Sequence, residues 1–131
     1  VKAGSTNDWI GAFQDFLPTF AELAGASDAV PADIDGISFA PTLLGEPGQQ
    51  DHPHLFWAFY EGGGARAIRE GKWKAIQQPI HTPVRLYDLA ADLGEQDDIA
   101  AQHPQLVERL SADMDQAYKP STRWKFPQRK K

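Results

Sequence analysis

The sequence contains no cysteine in its 131 residues. This excludes disulfide bonds, thiolate metal ligands and a cysteine nucleophile within the chain. No apolar run approaches the roughly 18 residues that a membrane-spanning helix needs. The first residues, VKAGSTNDW, also lack the basic-then-apolar order of a secretory signal peptide. If the chain is a piece of a longer protein, that last absence carries no information about export.

Positive charge is scarce in most of the chain. The net charge is −5, yet residues 119–131 carry six basic side chains and no acidic one. Residues 1–118 carry the other seven basic side chains against 18 acidic ones, a net charge of −11. An acidic body argues against nucleic acid as a main partner. The short basic tail is more typical of a solvated terminus than of a binding arm.

The first part of the chain predicts helices separated by loops. We expect a helix over about residues 15–25, because Asp15 can cap its start, Pro18 is tolerated in the first turn and Gly25 suits its end. One stripe of this helix is apolar and contains Phe16, Phe20, Leu23 and Ala24. The segment ISFAPTLLG predicts a second, short helix over about residues 37–44.

The second part predicts four strands and a long helix. The strands are HLFWAFY at 54–60, ARAIRE at 65–70, WKAIQQ at 73–78 and VRLYDL at 84–89. Such short connections favour an antiparallel meander, because a parallel crossover needs a dozen or more residues. A helix then begins at Pro104 and reaches about Tyr118, and Trp124 and Phe126 in the tail are expected to pack back in part. The predicted fold class is α+β.

The segment DHPH offers Asp51, His52 and His54 as possible zinc ligands. Pro53 disturbs a regular strand at this point, and no further histidine lies close in sequence. The pattern therefore favours a loop over a metal site. His81 and His103 are isolated and favour surface or capping roles.

The stretch YEGGGARAIREGKWKAI, residues 60–76, combines three glycines with basic side chains. A phosphate-binding glycine loop lies between a strand and the start of a helix, whereas a strand follows here. A hairpin loop is therefore favoured. Alternation places Arg66 and Arg69 on opposite faces of the strand, so one face could meet an anionic ligand while the other is solvated.

The sequence offers few candidate catalytic residues. No serine lies in a nucleophile-elbow context, and no pair of carboxylates is placed convincingly for hydrolysis. Tyr60 and Glu61 could form a hydrogen-bonding pair at the mouth of the hairpin loop. The chain on its own lacks a nucleophile and metal ligands.

Five segments in order resemble the C-terminal region of type I sulfatases, the formylglycine-dependent sulfuric ester hydrolases of the alkaline phosphatase superfamily. They are DFLPTFAELAGA, DIDGISFAPTLLG, LFWAFYEGGGARAIREGKWKAI, LYDLAADLGEQDDIAAQHP and the closing helix. Two departures from the family pattern could loosen the turn after LYDL. Leu93 replaces a proline, and Asp97-Asp98 stand where asparagine is common.

The resemblance implies that residues 1–50 are the end of a large catalytic α/β domain and contribute one of its helices. Residues 51–131 would form a small C-terminal domain, a four-stranded antiparallel sheet packed against the long helix. Formylglycine and calcium belong to the large domain in this family, and no position here inherits their ligands. The resemblance also implies that the hairpin loops reach the rim of the substrate pocket. Candidate substrate-binding residues are Tyr60, Glu61, Arg66 and, more weakly, His54.

The leading hypothesis is a non-catalytic C-terminal fragment of a sulfatase whose partners are the catalytic domain and a sulfated carbohydrate or aryl sulfate. Alternatives are a free-standing module for anionic sugars, or a fragment of a related phosphodiesterase or phosphonate hydrolase. Neither nucleic acid nor a membrane is an expected partner. A homodimer through the exposed N-terminal helix is expected as a possible assembly. Family members are often periplasmic, extracellular or lysosomal.

Overall fold

The computed structural model describes residues 1–128 and divides the chain into two compact units. The first unit is Val1–Pro53, and the second begins at His54. Within the described residues, no helix is both long and apolar enough to cross a bilayer.

The first unit consists of short helices and loops. A 3-10 helix, Phe13–Asp15, leads into α1, Phe16–Leu23. A second 3-10 turn, Ser27–Ala29, and the helix α2, Ala40–Leu44, follow. The second helix begins three residues later than predicted, and the N–H groups of residues 37 and 39 before it donate to side chains of the first helix region.

A buried polar cluster holds the first unit together. Asp15 and Thr19 are fully buried. The Thr19 hydroxyl donates to the Asp15 carbonyl oxygen at 2.6 Å and accepts from the Phe39 N–H at 2.9 Å. The Asp15 carboxylate accepts from the N–H groups of Ala12 at 2.6 Å and Ile37 at 2.8 Å. Asp15 therefore connects the start of α1 to residue 37, which is distant in sequence. Contrary to the expectation, its side chain does not cap α1.

The second unit is the predicted antiparallel meander. Its strands are β1, Leu55–Phe59, β2, Ala65–Glu70, β3, Trp73–Gln77, and β4, Arg85–Asp88, in the order β1-β2-β3-β4. A 3-10 turn, Ala100–Gln102, precedes the long helix α3, Pro104–Ala117. The predicted α+β fold is confirmed.

Helix α3 covers one face of the sheet. The core between them contains Ile68, Ala75, Leu86, Leu110 and Met114, all with no exposed surface. Register explains the selection, because Ile68 pairs with Ala75 and Ala75 pairs with Leu86, which places these three side chains on one face. The sheet is thus packed firmly against α3, which gives the loops between its strands a fixed base.

The turn after β4 is well bonded despite Leu93 and the Asp97-Asp98 pair. The Asp92 carboxylate accepts from the N–H groups of Gln96 at 2.7 Å and Asp97 at 2.9 Å. The Asp98 carboxylate accepts from the Leu86 N–H at 3.1 Å, which ties the segment to β4. Aspartate side chains therefore supply the order that a proline would otherwise give.

Candidate functional site

The hairpin loop, residues 60–64, connects β1 to β2. Gly62, Gly63 and Gly64 have φ angles of 58°, 96° and 76°, in the left-handed region that glycine adopts readily. The Gly64 N–H donates to the Glu61 carbonyl oxygen at 2.9 Å and closes the turn. The hairpin prediction is confirmed, and Glu61 is exposed at the tip.

Gly64 is the tightest point of the hairpin loop. It is buried, and a Cβ added there would lie 3.0 Å from Ile80 Cγ2 and 3.0 Å from Phe126 Cδ1. The Ile80 N–H donates to the Gly64 carbonyl oxygen at 2.8 Å. The connection between β3 and β4 therefore pins the hairpin loop, which would lose this fit with any larger residue.

Tyr60 lies at the entry of the loop in an aromatic cluster. Its ring centroid is 4.8 Å from that of Phe126, which lies 5.2 Å from that of Tyr118. Hydrogen bonding with the Tyr118 side chain, together with burial and the charge of the Tyr118 phenolate, raises the pKa of Tyr60 above its ordinary value. A phenol is protonated at neutral pH even at its ordinary pKa, and its oxygen can also accept a hydrogen bond.

Arg66 lies on the α3 face of the sheet. Its Nε donates to Gln77 Oε1 at 2.8 Å, and its Nη1 pairs with the Asp115 carboxylate on α3. The side chain is only 16% exposed. The guanidinium is thus held by protein partners, and its Nη2 has no partner among the described residues.

Arg69 lies on the opposite face, as predicted, beside a groove of about 360 Å³. Its Nε donates to the Gly71 carbonyl oxygen at 3.0 Å, and Lys74 pairs with Glu95 at 2.5 Å in the same groove. The rest of the lining is apolar and consists of Trp57, Ala67, Ile76, Leu89 and Leu93. The sequence analysis did not predict this groove. The signal that could have indicated it is the alternation that places aromatic and basic residues on this face of the sheet.

The two histidines of the DHPH segment belong to different units. His52 is in the first unit, where its Nε2 lies 2.9 Å from Asp15 Oδ1 and its ring lies 5.9 Å from that of Trp9. His54 is exposed directly before β1 in the second unit. Residues 1–128 contain no group of three or more histidine, cysteine, aspartate or glutamate side chains that could hold a metal ion.

Comparison with known proteins connects this fold to sulfatases. The Delta 4,5-hexuronate-2-O-sulfatase of Bacteroides thetaiotaomicron is 36% identical over 66% of this chain. Arylsulfatase A of Bos taurus is 32% identical over 73% of it. The solved structure of a 2-O GAG sulfatase has a TM-score of 0.67 at 31% identity over 78% of the chain. No protein-family model matches the chain.

A phosphonate monoester hydrolase of Agrobacterium radiobacter also shares the fold, with a TM-score of 0.60 at 23% identity over 87% of this chain and 25% of its own. An identity this low shows a common fold alone.

The chain spans only a small part of its relatives. It covers 18% of the hexuronate sulfatase, 25% of arylsulfatase A and 23% of the 2-O GAG sulfatase. The resemblance seen in the five sequence segments is confirmed by sequence and fold together. The chain belongs to the sulfatase family and corresponds to the C-terminal region of its members.

Proposed function

We propose that this chain is the non-catalytic C-terminal part of a sulfuric ester hydrolase, where it supports the catalytic part and forms an edge of the substrate pocket. The region that it matches makes up only 18% and 25% of two of its sulfatase relatives. The described residues offer neither a metal-binding group nor a cysteine. The chemistry would then be supplied by the calcium and formylglycine of the catalytic part.

The hairpin loop is the observation that carries the proposal. It presents the Tyr60 hydroxyl and the exposed Glu61 carboxylate at one end of a packed sheet, and Ile80 holds it in place. A protonated phenol can donate to a sulfate oxygen, and a carboxylate can accept from a sugar hydroxyl. A rigid loop with these two groups suits recognition of a sulfated sugar.

Arg66 and His54 are secondary candidates for the same edge. Arg66 would keep its bonds to Gln77 and Asp115 and offer to an anion its Nη2, which bonds to none of residues 1–128. His54 is exposed and would act as a surface donor or acceptor. Both assignments follow from the free groups that each side chain retains.

Sulfated carbohydrate is the substrate class that we favour. A curated relative is named as a hexuronate-2-O-sulfatase, and a matched solved structure as a 2-O GAG sulfatase. Phosphonate hydrolysis has only the shared fold in its favour.

The first test concerns turnover by the chain itself. The pure chain, with and without calcium, should hydrolyse a chromogenic aryl sulfate no faster than buffer does. Hydrolysis that copurifies with the chain and saturates with substrate would overturn the non-catalytic role.

The second test concerns the edge of the pocket. This chain should replace the aligned region of the Bacteroides thetaiotaomicron hexuronate-2-O-sulfatase, and Tyr60→Phe in that chimera should lower kcat/KM about tenfold, since one hydrogen bond to a charged group is lost. Tyr87→Phe removes the same hydroxyl from a buried residue of β4 and should leave kcat/KM unchanged. Equal kcat/KM for Tyr60→Phe and the unmodified chimera would remove Tyr60 from the edge.

A free-standing anionic-sugar module is the second candidate, because the groove places Trp57 beside Arg69 and Lys74. Sugars stack on aromatic rings, and cations hold their sulfate groups. Calorimetry with a sulfated oligosaccharide separates the two functions. Micromolar binding that Trp57→Ala abolishes would favour the module.

A further inference from the structure

The tail beyond α3 returns to the hairpin loop. The N–H groups of Arg123 and Trp124 donate to the Ser121 hydroxyl at 3.2 and 3.1 Å, which forms a turn after the helix. Phe126 then reaches the rings of Tyr60 and Tyr118 at centroid distances of 4.8 and 5.2 Å. The predicted return of the tail is confirmed for Phe126, which contacts Tyr60 of the candidate site, whereas Trp124 is 62% exposed.

Two further contacts fix this segment. The His81 Nε2 atom lies within hydrogen-bonding distance of the Pro127 carbonyl oxygen, at 3.0 Å. A Cβ on Gly64 would lie 3.1 Å from Pro127 Cδ, so the tail packs directly on the loop backbone. Residues 121–127, which we call the strap, therefore touch the end of α3, the hairpin loop and the β3–β4 connection.

We propose that Phe126 is a positioning residue, which holds the Tyr60 side chain and the hairpin loop in the arrangement that meets the substrate. The role toward substrate rests on the proposed function. The effect of Phe126 on Tyr60 and on the hairpin loop does not depend on that function, and it can be measured in this chain by itself.

The geometry explains why the ring of Phe126 matters. It packs against both phenol rings, so it keeps Tyr60 and Tyr118 near each other. Packing on the Phe126 ring therefore fixes where the Tyr60 hydroxyl lies at the entry of the hairpin loop, and the nearby Tyr118 side chain, chiefly by hydrogen bonding, raises the pKa of Tyr60. Loss of the Phe126 ring would free both phenols and open the loop to water.

The test uses the full chain with tyrosine labelled at the ring carbon that bears the hydroxyl, so NMR follows each of the three phenols separately. In Phe126→Ala, Tyr60 should titrate at lower pH than in the parent chain, because its pKa falls when its contact with Tyr118 is lost. Trp124→Ala is the matched control, because it removes a neighbouring strap aromatic that is 62% exposed. That control should leave the titration of Tyr60 unchanged.

Hydrogen exchange provides the second readout. The amides of Gly64 and Ile80 close the loop, and both should exchange about tenfold faster in Phe126→Ala. The amide of Ile68 in the core reports whether the sheet remains folded. If the Ile68 amide also loses protection, the same titration and exchange measurements are made on Phe126→Leu. This variant keeps the apolar bulk but lacks the ring.

An unchanged Tyr60 titration and unchanged loop exchange in a folded Phe126 variant would overturn the positioning role. Aryl sulfate turnover by the pure chain would overturn the proposed function and leave this result intact. The two failures are therefore distinguishable.

Discussion

Asp15 shows how a single carboxylate can organise a segment with few buried apolar side chains. Ala40 is the one fully buried apolar residue in the first unit, all of which is described. Asp15 instead accepts hydrogen bonds from Ala12 and Ile37 and contacts His52. Because a buried acceptor without donors is costly, these partners and the carboxylate depend on one another.

Asp15→Asn should lower the free energy of unfolding of the first unit by about 2–3 kcal/mol, because the amide nitrogen cannot accept these bonds. Urea titration followed by the amide NMR signals of Ile37 and Phe39 measures the loss. The control is Asp28→Asn, an exposed aspartate of the Ser27–Ala29 turn, which should unfold like the parent chain. Equal midpoints for the two variants would show that the Asp15 bonds contribute little.

Sequence reasoning identified Asp15 as a special position but assigned it a local role. The spacing of residues reveals a cap within one turn, because cap and helix are neighbours in sequence. Ala12 is a local partner, but Ile37 and His52 lie 22 and 37 residues away. A one-dimensional pattern contains no information on such distances.

At the level of elements, period-based signals located the sheet and α3 well. The second strand was predicted at residues 65–70 and observed there, and α3 ends at Ala117 rather than about Tyr118. Alternation and the helical stripe are local properties of the backbone, so they survive without knowledge of the fold. The contact of residue 126 with residue 60 and the groove behind β2 are non-local, and they became visible only in the structure.

The β3–β4 pair should show a specific acid dependence. Lys72 Nζ lies 2.6 Å from Asp88 Oδ2, and this hydrogen bond, with others from Ala90 and Ala91, lowers the pKa of Asp88 below its ordinary 3.8. A lowered pKa means stability that is present above 3.8 and lost as the pH falls through the folded-state pKa.

We therefore expect Asp88→Asn to destabilise the second unit at pH 7 and to have no effect at a pH below the folded-state pKa of Asp88. Urea midpoints across the acid range measure the difference. Asp97→Asn changes an exposed aspartate of the next loop and provides the control. A destabilisation by Asp88→Asn that is independent of pH would argue for lost packing or a lost turn instead of charge.

For the whole molecule, family membership was the easiest feature to predict and the substrate contacts the hardest. Five ordered segments identify the family, because each is tied to a packed element or turn. The contacts of Tyr60 and Glu61 with a ligand stay a prediction, since they depend on parts of the relatives that this chain does not span.

The exposed face of α1 predicts self-association. Its large apolar side chains are exposed, Phe16 by 41%, Phe20 by 59% and Leu23 by 47%. Contiguous exposed apolar surface tends to be covered by a partner, and a second copy is the partner available in a pure sample.

Light scattering should therefore find a concentration-dependent dimer, and Phe20→Glu should return it to monomer. Glu22→Gln, an exposed change on the same helix, should leave the dimer intact. A monomer at all concentrations, with α1 fully ordered, would contradict this assembly.

The two edge strands of the sheet, β1 and β4, differ in how well they are protected against pairing with another chain. The edge at β4 is partly occupied, because the Ile99 N–H donates to the Leu86 carbonyl oxygen at 2.9 Å. The other edge strand, β1, reads LFWAF and carries no charge or proline that would discourage pairing with a foreign strand. Aggregation of the concentrated second unit should accordingly begin by strand addition at β1, and a lysine in place of the exposed Phe59 is the substitution most suited to prevent it.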